Sequence, residues 1–156
     1  NKEGLDLTEL ARDIADSYKA GLGAVGVPEG IVARESKFTV DETVSRLEAR
    51  LKAGNVPVFA VFDRGENAEQ AGLQLRPTKV LVFGNPKVGT RLMQENQAVA
   101  LDLPLRLSVW EDARGRVWVG RHALGPIAAE YGLKDGGTVA AMAQATKPFM
   151  SAVPRP

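Results

Sequence analysis

The sequence predicts an α+β domain: a mostly antiparallel sheet of four to five strands packed by helices. Three observations carry this. "VPVFAVFDR" and "TKVLVF" are nearly continuous runs of β-branched and aromatic residues at strand length. "LPLRLSVWEDARGRVWVGRH" alternates apolar and polar residues on both sides of the turn "DARG", the pattern of an antiparallel hairpin. Between such runs lie capped segments whose apolar residues recur every three or four positions, the period of an amphipathic helix.

Residues 1–29 read as an extension to this domain. In "LDLTELARDIADSYKAGL", Leu7, Leu10, Ile14, Tyr18 and Leu22 keep helical spacing, and Gly21, Gly23, Gly26 and Pro28 then break it. Such a helix can dock on its own domain, on a partner or on a membrane surface, and docking on its own domain is the plainer expectation.

The single domain is expected over 30–153. "IVARES" is a short first strand. Thr39 with Glu42 three residues later forms a capping box for "TVDETVSRLEARLKAG", whose buried stripe is Val44, Leu47 and Leu51, with Gly54 as its stop. "AEQAG" suggests a short helix between the next two strands. In "VLVFGNPKVGTRLM", Gly84 ends a strand, Asn85 is a good N-cap, and Pro86 occupies a first helical position, where its missing N–H is harmless. The helix then directs Val88, Leu92 and Met93 to the core. Gly84, Gly89 and Thr90 superficially match a phosphate-binding loop, but the lysine of that motif is missing and Pro86 removes a backbone donor. No phosphate is expected there. In the last part, Ile127, Tyr131, Val139, Met142, Phe149 and Met150 supply helical apolar positions, expected to cover the open face of the sheet.

In the hairpin, placing Gly115 in the left-handed position of a bulged turn pairs Asp112 with Arg116 and sets Trp110 opposite Trp118. Leu105, Leu107, Val109, Val117 and Val119 then share one face. Arg106, Ser108, Trp110, Arg116, Trp118 and His122, the single histidine, share the other. Two readings of that second face stand side by side. Either the tryptophans simply pair across the strands under arginine stems, or they line a pocket or subunit interface, where Trp and Arg serve as anchors.

Composition narrows the chemistry. Twenty Lys and Arg against nineteen Asp and Glu leave a net charge of +1 with the signs interspersed, which gives no electrostatic footprint for nucleic acid. The absence of cysteine excludes disulfides, thiolate catalysis and cysteine-ligated metals. No apolar run reaches the about 18 residues of a transmembrane helix. The first residue is Asn1, not Met, from which a cleaved signal peptide and export are expected, with a cytoplasmic location as the alternative.

The strings "GLQLRPTKVLVFGNPKVGT", "LMQENQAVALDLPLRLSVWED" and "GRVWVG" resemble the bacterial domain of unknown function family number 302 over about residues 30 to 145. The resemblance implies a fold of the TATA-box-binding-protein-like class, in the order β-α-β(4)-α, often exported to the periplasm. It implies no particular activity. Relatives commonly carry histidines where this chain has Arg64 and Tyr131, so any metal or acid–base role of those histidines does not transfer. His122 stands where relatives tend to have an asparagine-like residue.

The function expected is a non-enzymatic module that binds a small ligand or a protein partner, in a possible homodimer, through Trp110, Trp118, Arg106, Arg116 and His122, with Asp63 and Arg64 as further candidates. No metal and no cofactor are expected, since a lone histidine without acidic neighbours at ligand spacing is a weak metal signal. The alternatives are an enzyme using Asp63, Arg64, Asp102 and His122, and a non-covalent haem or metal protein with His122, Met93, Met142 or Met150 as ligand.

Overall fold

The computed structural model describes residues 27–134. In chain order they form β1 (Ile31–Ser36), α1 (Val40–Ala53), β2 (Val58–Asp63), α2 (Arg64–Gln70), β3 (Thr78–Phe83), α3 (Pro86–Glu95), a 3-10 turn (Gln97–Asp102), β4 (Leu105–Glu111), β5 (Val117–His122) and α4 (Leu124–Glu130). The expected α+β class and the five strands are therefore present, with α2 and α3 set between strands. The strands lie in the order β1-β5-β4-β3-β2, and all neighbours are antiparallel.

The helix lengths explain why β1 and β2 can stand at opposite edges. Four inter-strand spacings of about 4.8 Å separate the edges by about 19 Å. The 14 residues of α1 span about 21 Å, enough to cross the whole sheet between those two strands. In crossing, α1 lays Val40, Val44, Leu47 and Leu51 against Leu81, Phe83, Leu107, Val109, Val117 and Val119, which forms the main core.

Local chemistry begins and ends α1. The Thr39 hydroxyl accepts from the Glu42 N–H at 3.2 Å, the expected cap. The reciprocal half of the expected box is replaced, because the Glu42 carboxylate instead takes the Arg46 guanidinium one turn on, at 3.1 Å. At the other end Gly54 is the C-cap, but Asn55 adopts the left-handed conformation (φ 55). The Val56 N–H then returns to the Leu51 carbonyl at 2.9 Å and the Asn55 N–H to that of Lys52 at 3.0 Å, closing the helix in the Schellman manner.

A second, smaller core gathers at one end of the sheet. Leu92 of α3, Val99 of the 3-10 turn, and Leu124 and Ala128 of α4 are buried together, with Val88, Met93, Leu103, Leu105, Ile127 and Tyr131 packed against them. This corrects the expectation that Ile127 and Tyr131 cover the open face. Since α4 begins two residues after β5 ends, it docks on α3 at the end of the strands. The turn at Gly84 is a capped strand-to-helix turn: the Asn85 side chain accepts from the Lys87 N–H at 3.0 Å. The expected helices before residue 27 and after 134, with Val139, Met142, Phe149 and Met150, lie outside the described residues.

Candidate functional site

The hairpin fixes the geometry. Gly115 has φ +81, and the Asp112 N–H donates to the Arg116 carbonyl at 2.8 Å, so Trp110 stands opposite Trp118. One side chain organises this end. The Asp112 carboxylate accepts from the Arg114 and Arg116 N–H groups, each at 2.9 Å, and from the Trp118 indole N–H at 3.0 Å. These donors, the indole first, hold the Asp112 carboxyl below the usual carboxylate range.

Trp118 is consequently a buried structural residue, 3% exposed and packed with Ala33, Val27 and Trp110. Trp110 is only half buried. Its ring lies across β5 at Gly120, where an added Cβ would come within 2.8 Å of Cζ3. Glycine is required there because nothing larger fits beneath the indole, an aromatic covering a backbone that has no side chain of its own.

Beside Trp110 the face opposite α1 carries a hollow of about 260 Å³. Ile31 of β1, Val80 of β3 and Gly120 of β5 are its apolar lining, and Arg106, Ser108 and His122 bring polar groups to it. Arg106 and His122 are exposed. Arg121 flanks both this hollow and a water-sized cavity of about 30 Å³ beneath it, and it donates to the His122 carbonyl at 3.1 Å. Asp102 also lines the small cavity and accepts the hydroxyl proton of Tyr131 in a hydrogen bond. That bond, with desolvation, pushes the Tyr131 phenol up to about 12. Asn96 holds the Tyr131 carbonyl at 3.1 Å, so the end of α4 is tied down from two sides.

Of the expected site residues, Trp110, Arg106 and His122 converge on the hollow. Trp118 is adjacent in the sheet but committed to Asp112. Arg116 lies at the hairpin tip, 3.7 Å from Glu35. Asp63 and Arg64 are elsewhere. Asp63 pairs through Lys79 and Val109 to Val119, three residues short of His122, which separates them by about 14 Å across the strands and about 10 Å along them. Asp63 is the N-cap of α2, accepting from the Glu66 N–H at 2.9 Å, and it shares Lys79 with Asp41 at 3.7 and 2.8 Å. The Asp41 hydrogen bond is the main reason that the Lys79 pKa is raised. Met93 packs in the second core, and Met142 and Met150 lie outside the described residues. Among the described residues there is no cluster of three or more His, Cys, Asp or Glu side chains able to hold a metal.

Ile31 and Val80 were not legible as site residues. They arrive through the pairings of Ile31 with His122 and of Val80 with Ser108, and the hairpin sequence does not encode its neighbours. Asp112 was legible in part, as an aspartate opening a tight turn, although not as the holder of an indole.

The comparisons with known proteins bear on fold and family. A solved structure, an uncharacterized conserved protein of the same domain family from Bacillus stearothermophilus, superposes with a TM-score of 0.72 at 21% identity, covering 81% of this chain and all of that one. It shares the fold. The fluoride-specific ion channel FluC 1 of Brucella suis biovar 1 is 38% identical over 131 residues, and FluC 2 of Brucella melitensis biotype 1 is equally so. The match covers 78% of this chain but only 51% and 48% of those relatives, so the chain spans about half their length. Among the described residues no helix is long and apolar enough to cross a membrane. The family model described as "Domain of unknown function DUF302" matches residues 32–153, and the chain belongs to that family.

Proposed function

We propose that the domain is a non-enzymatic binding module whose hollow takes a small acidic ligand with a flat or apolar body. The observation that carries this reading is the convergence of Trp110, Arg106, Ser108 and His122 around about 260 Å³ of space over an apolar lining. A mostly apolar concavity with a few polar groups is the usual form of a small-ligand site. An indole face accepts a planar body, and a guanidinium fork pairs with a carboxylate or phosphate through two parallel hydrogen bonds. Ser108 and the His122 imidazole add hydrogen-bonding groups that orient the ligand.

A catalytic reading has less to support it. Asp63 is used as a helix cap, and Asp102 accepts from a Tyr131 phenol raised to about 12, which disfavours the phenolate that a tyrosine nucleophile would need. The fluoride-channel name belongs to relatives about twice as long as this match, and it enters here as a reason to include fluoride among the anions tested. We also propose export to the periplasm, on the family resemblance; release of the protein by osmotic shock of its native host checks it.

Native mass spectrometry of the untagged chain from its own source, followed by tryptophan fluorescence titration with aromatic carboxylates, inorganic phosphate and fluoride, tests the ligand. Retained mass, or quenching that Trp110→Phe removes while Trp118 is intact, supports the reading. A bare chain whose emission is unmoved by every probe at millimolar concentration overturns it.

A further inference from the structure

We infer that β2 is the contact through which this chain pairs with a second copy of itself, in an antiparallel arrangement that joins two five-stranded sheets. The inference does not rest on the hollow, whose lining runs from β1 to β3 and includes no residue of β2.

The two edges of the sheet differ in a way that points to β2. At the β1 edge, "IVARES" carries Arg34 and Glu35, with Glu35 facing Arg116 at 3.7 Å. Charges on an edge strand are a common protection against unwanted pairing. The β2 edge, "VFAVFD", has no charge before its last residue, and among the described residues it has a single strand neighbour, β3. Phe59 is 54% exposed, Phe62 47% and Val61 38%. Leu75, whose carbonyl lies near Gly65 just beyond β2, is 51% exposed.

A second copy fits this edge because β2 is complementary to itself. The register shift between Val58 and Ala60 sets Phe59 against Gly84, on the side of the sheet opposite the buried Phe83. Phe62, paired with Val80, is on that same side. Because opposed residues of an antiparallel pair share a face, a two-fold axis through Val61 sets Phe62 of each copy opposite Ala60 of the other and beside the other's bulged Phe59, giving two aromatic contacts related by symmetry. With aromatic side chains offering 150–250 Å² each, the exposed parts of Phe59, Val61, Phe62 and Leu75 come to on the order of 350 Å² per copy. Two copies thus cover on the order of 700 Å² of apolar surface, to which paired main chains and a polar rim add toward the about 1,200 Å² of a small stable interface. A net charge of only +1 opposes the encounter little.

Sedimentation equilibrium of the full chain tests this. The expected mass is twice the 16.7 kDa of one chain. Phe62→Lys should raise the dimer dissociation constant by on the order of 100-fold, because a symmetric contact is lost twice. Leu101→Lys, at a site that is 83% exposed elsewhere, should leave it unchanged. Because the chain has no cysteine, Val61→Cys gives a second reading that does not depend on how Phe62→Lys folds. Near the axis it should oxidise to a disulfide-linked dimer, whereas Leu101→Cys should not. A monomer at every concentration, or a dimer that withstands Phe62→Lys and is not cross-linked at position 61, overturns the proposal.

Discussion

The two faces of the sheet are made by the same five strands and are closed in different ways. Under α1, ten buried residues from α1 and three central strands form one continuous packed core. On the other face the buried cluster is Ala33 and Trp118, with Val27 and Trp110 against it, and the remaining surface dips into the hollow. Stability therefore belongs mainly to the first face. Among the described residues the second combines one packed aromatic contact with an open hollow, and that difference can be measured.

The largest effect should come from the α1 face. Leu47→Ala removes a fully buried side chain and should cost about 3–5 kcal/mol in chemical denaturation, with binding properties unchanged in whatever fraction stays folded. Gly120→Ala should cost about 1–3 kcal/mol, because its methyl group meets the Trp110 ring at 2.8 Å. If that clash is the cause, the same substitution in a Trp110→Leu background should be much milder, which a double-mutant cycle reads directly. Trp110→Ala should cost only about 1 kcal/mol, since the ring is half exposed, yet it should abolish any ligand response; an equal loss in Leu47→Ala and Trp110→Ala would erase the distinction between the faces.

Smaller effects follow from pH. The Asp112 carboxyl is lowered in the folded state, so its contribution is present above the ordinary carboxylate pKa and is lost as pH falls through the lowered value. Asp112→Asn should flatten the acid limb of the stability profile. The Tyr131 phenol is raised from 10.0 to about 12, so its contribution is complete below pH 10 and is lost as pH rises through about 12. Tyr131→Phe should flatten the alkaline limb, with thermal melts across pH as the readout.

Much of this was readable where the relevant chemistry is local. The turn around Gly115, and with it the Trp110–Trp118 pair, follows from five residues of sequence. The caps of α1 and α3 follow from Thr39 and Asn85. The reading was weaker wherever two distant segments meet. Trp118 looks the same as Trp110 in an alternating strand, and its burial depends on Ala33 and Val27 arriving from the other side of β5. The docking of α4 on α3 depends on Leu92 and Val99, about thirty residues away, and so does the tie between Tyr131 and Asp102.

By itself the sequence determined the order of the strands, the hairpin register, the starting caps of α1 and α3 and the family. These rest on backbone preferences, capping groups and side-chain periods that act within a few residues. The short helix expected over "AEQAG" starts earlier than that, at Arg64 on the Asp63 cap. The tertiary structure alone decided that β1 lies beside β5, that β2 is left at an edge with its phenylalanines exposed, and that Ile31 and Val80 meet Arg106 and His122 in one hollow. Those outcomes depend on a helix long enough to cross the sheet and on which strands it brings together, and no short stretch of residues records that choice.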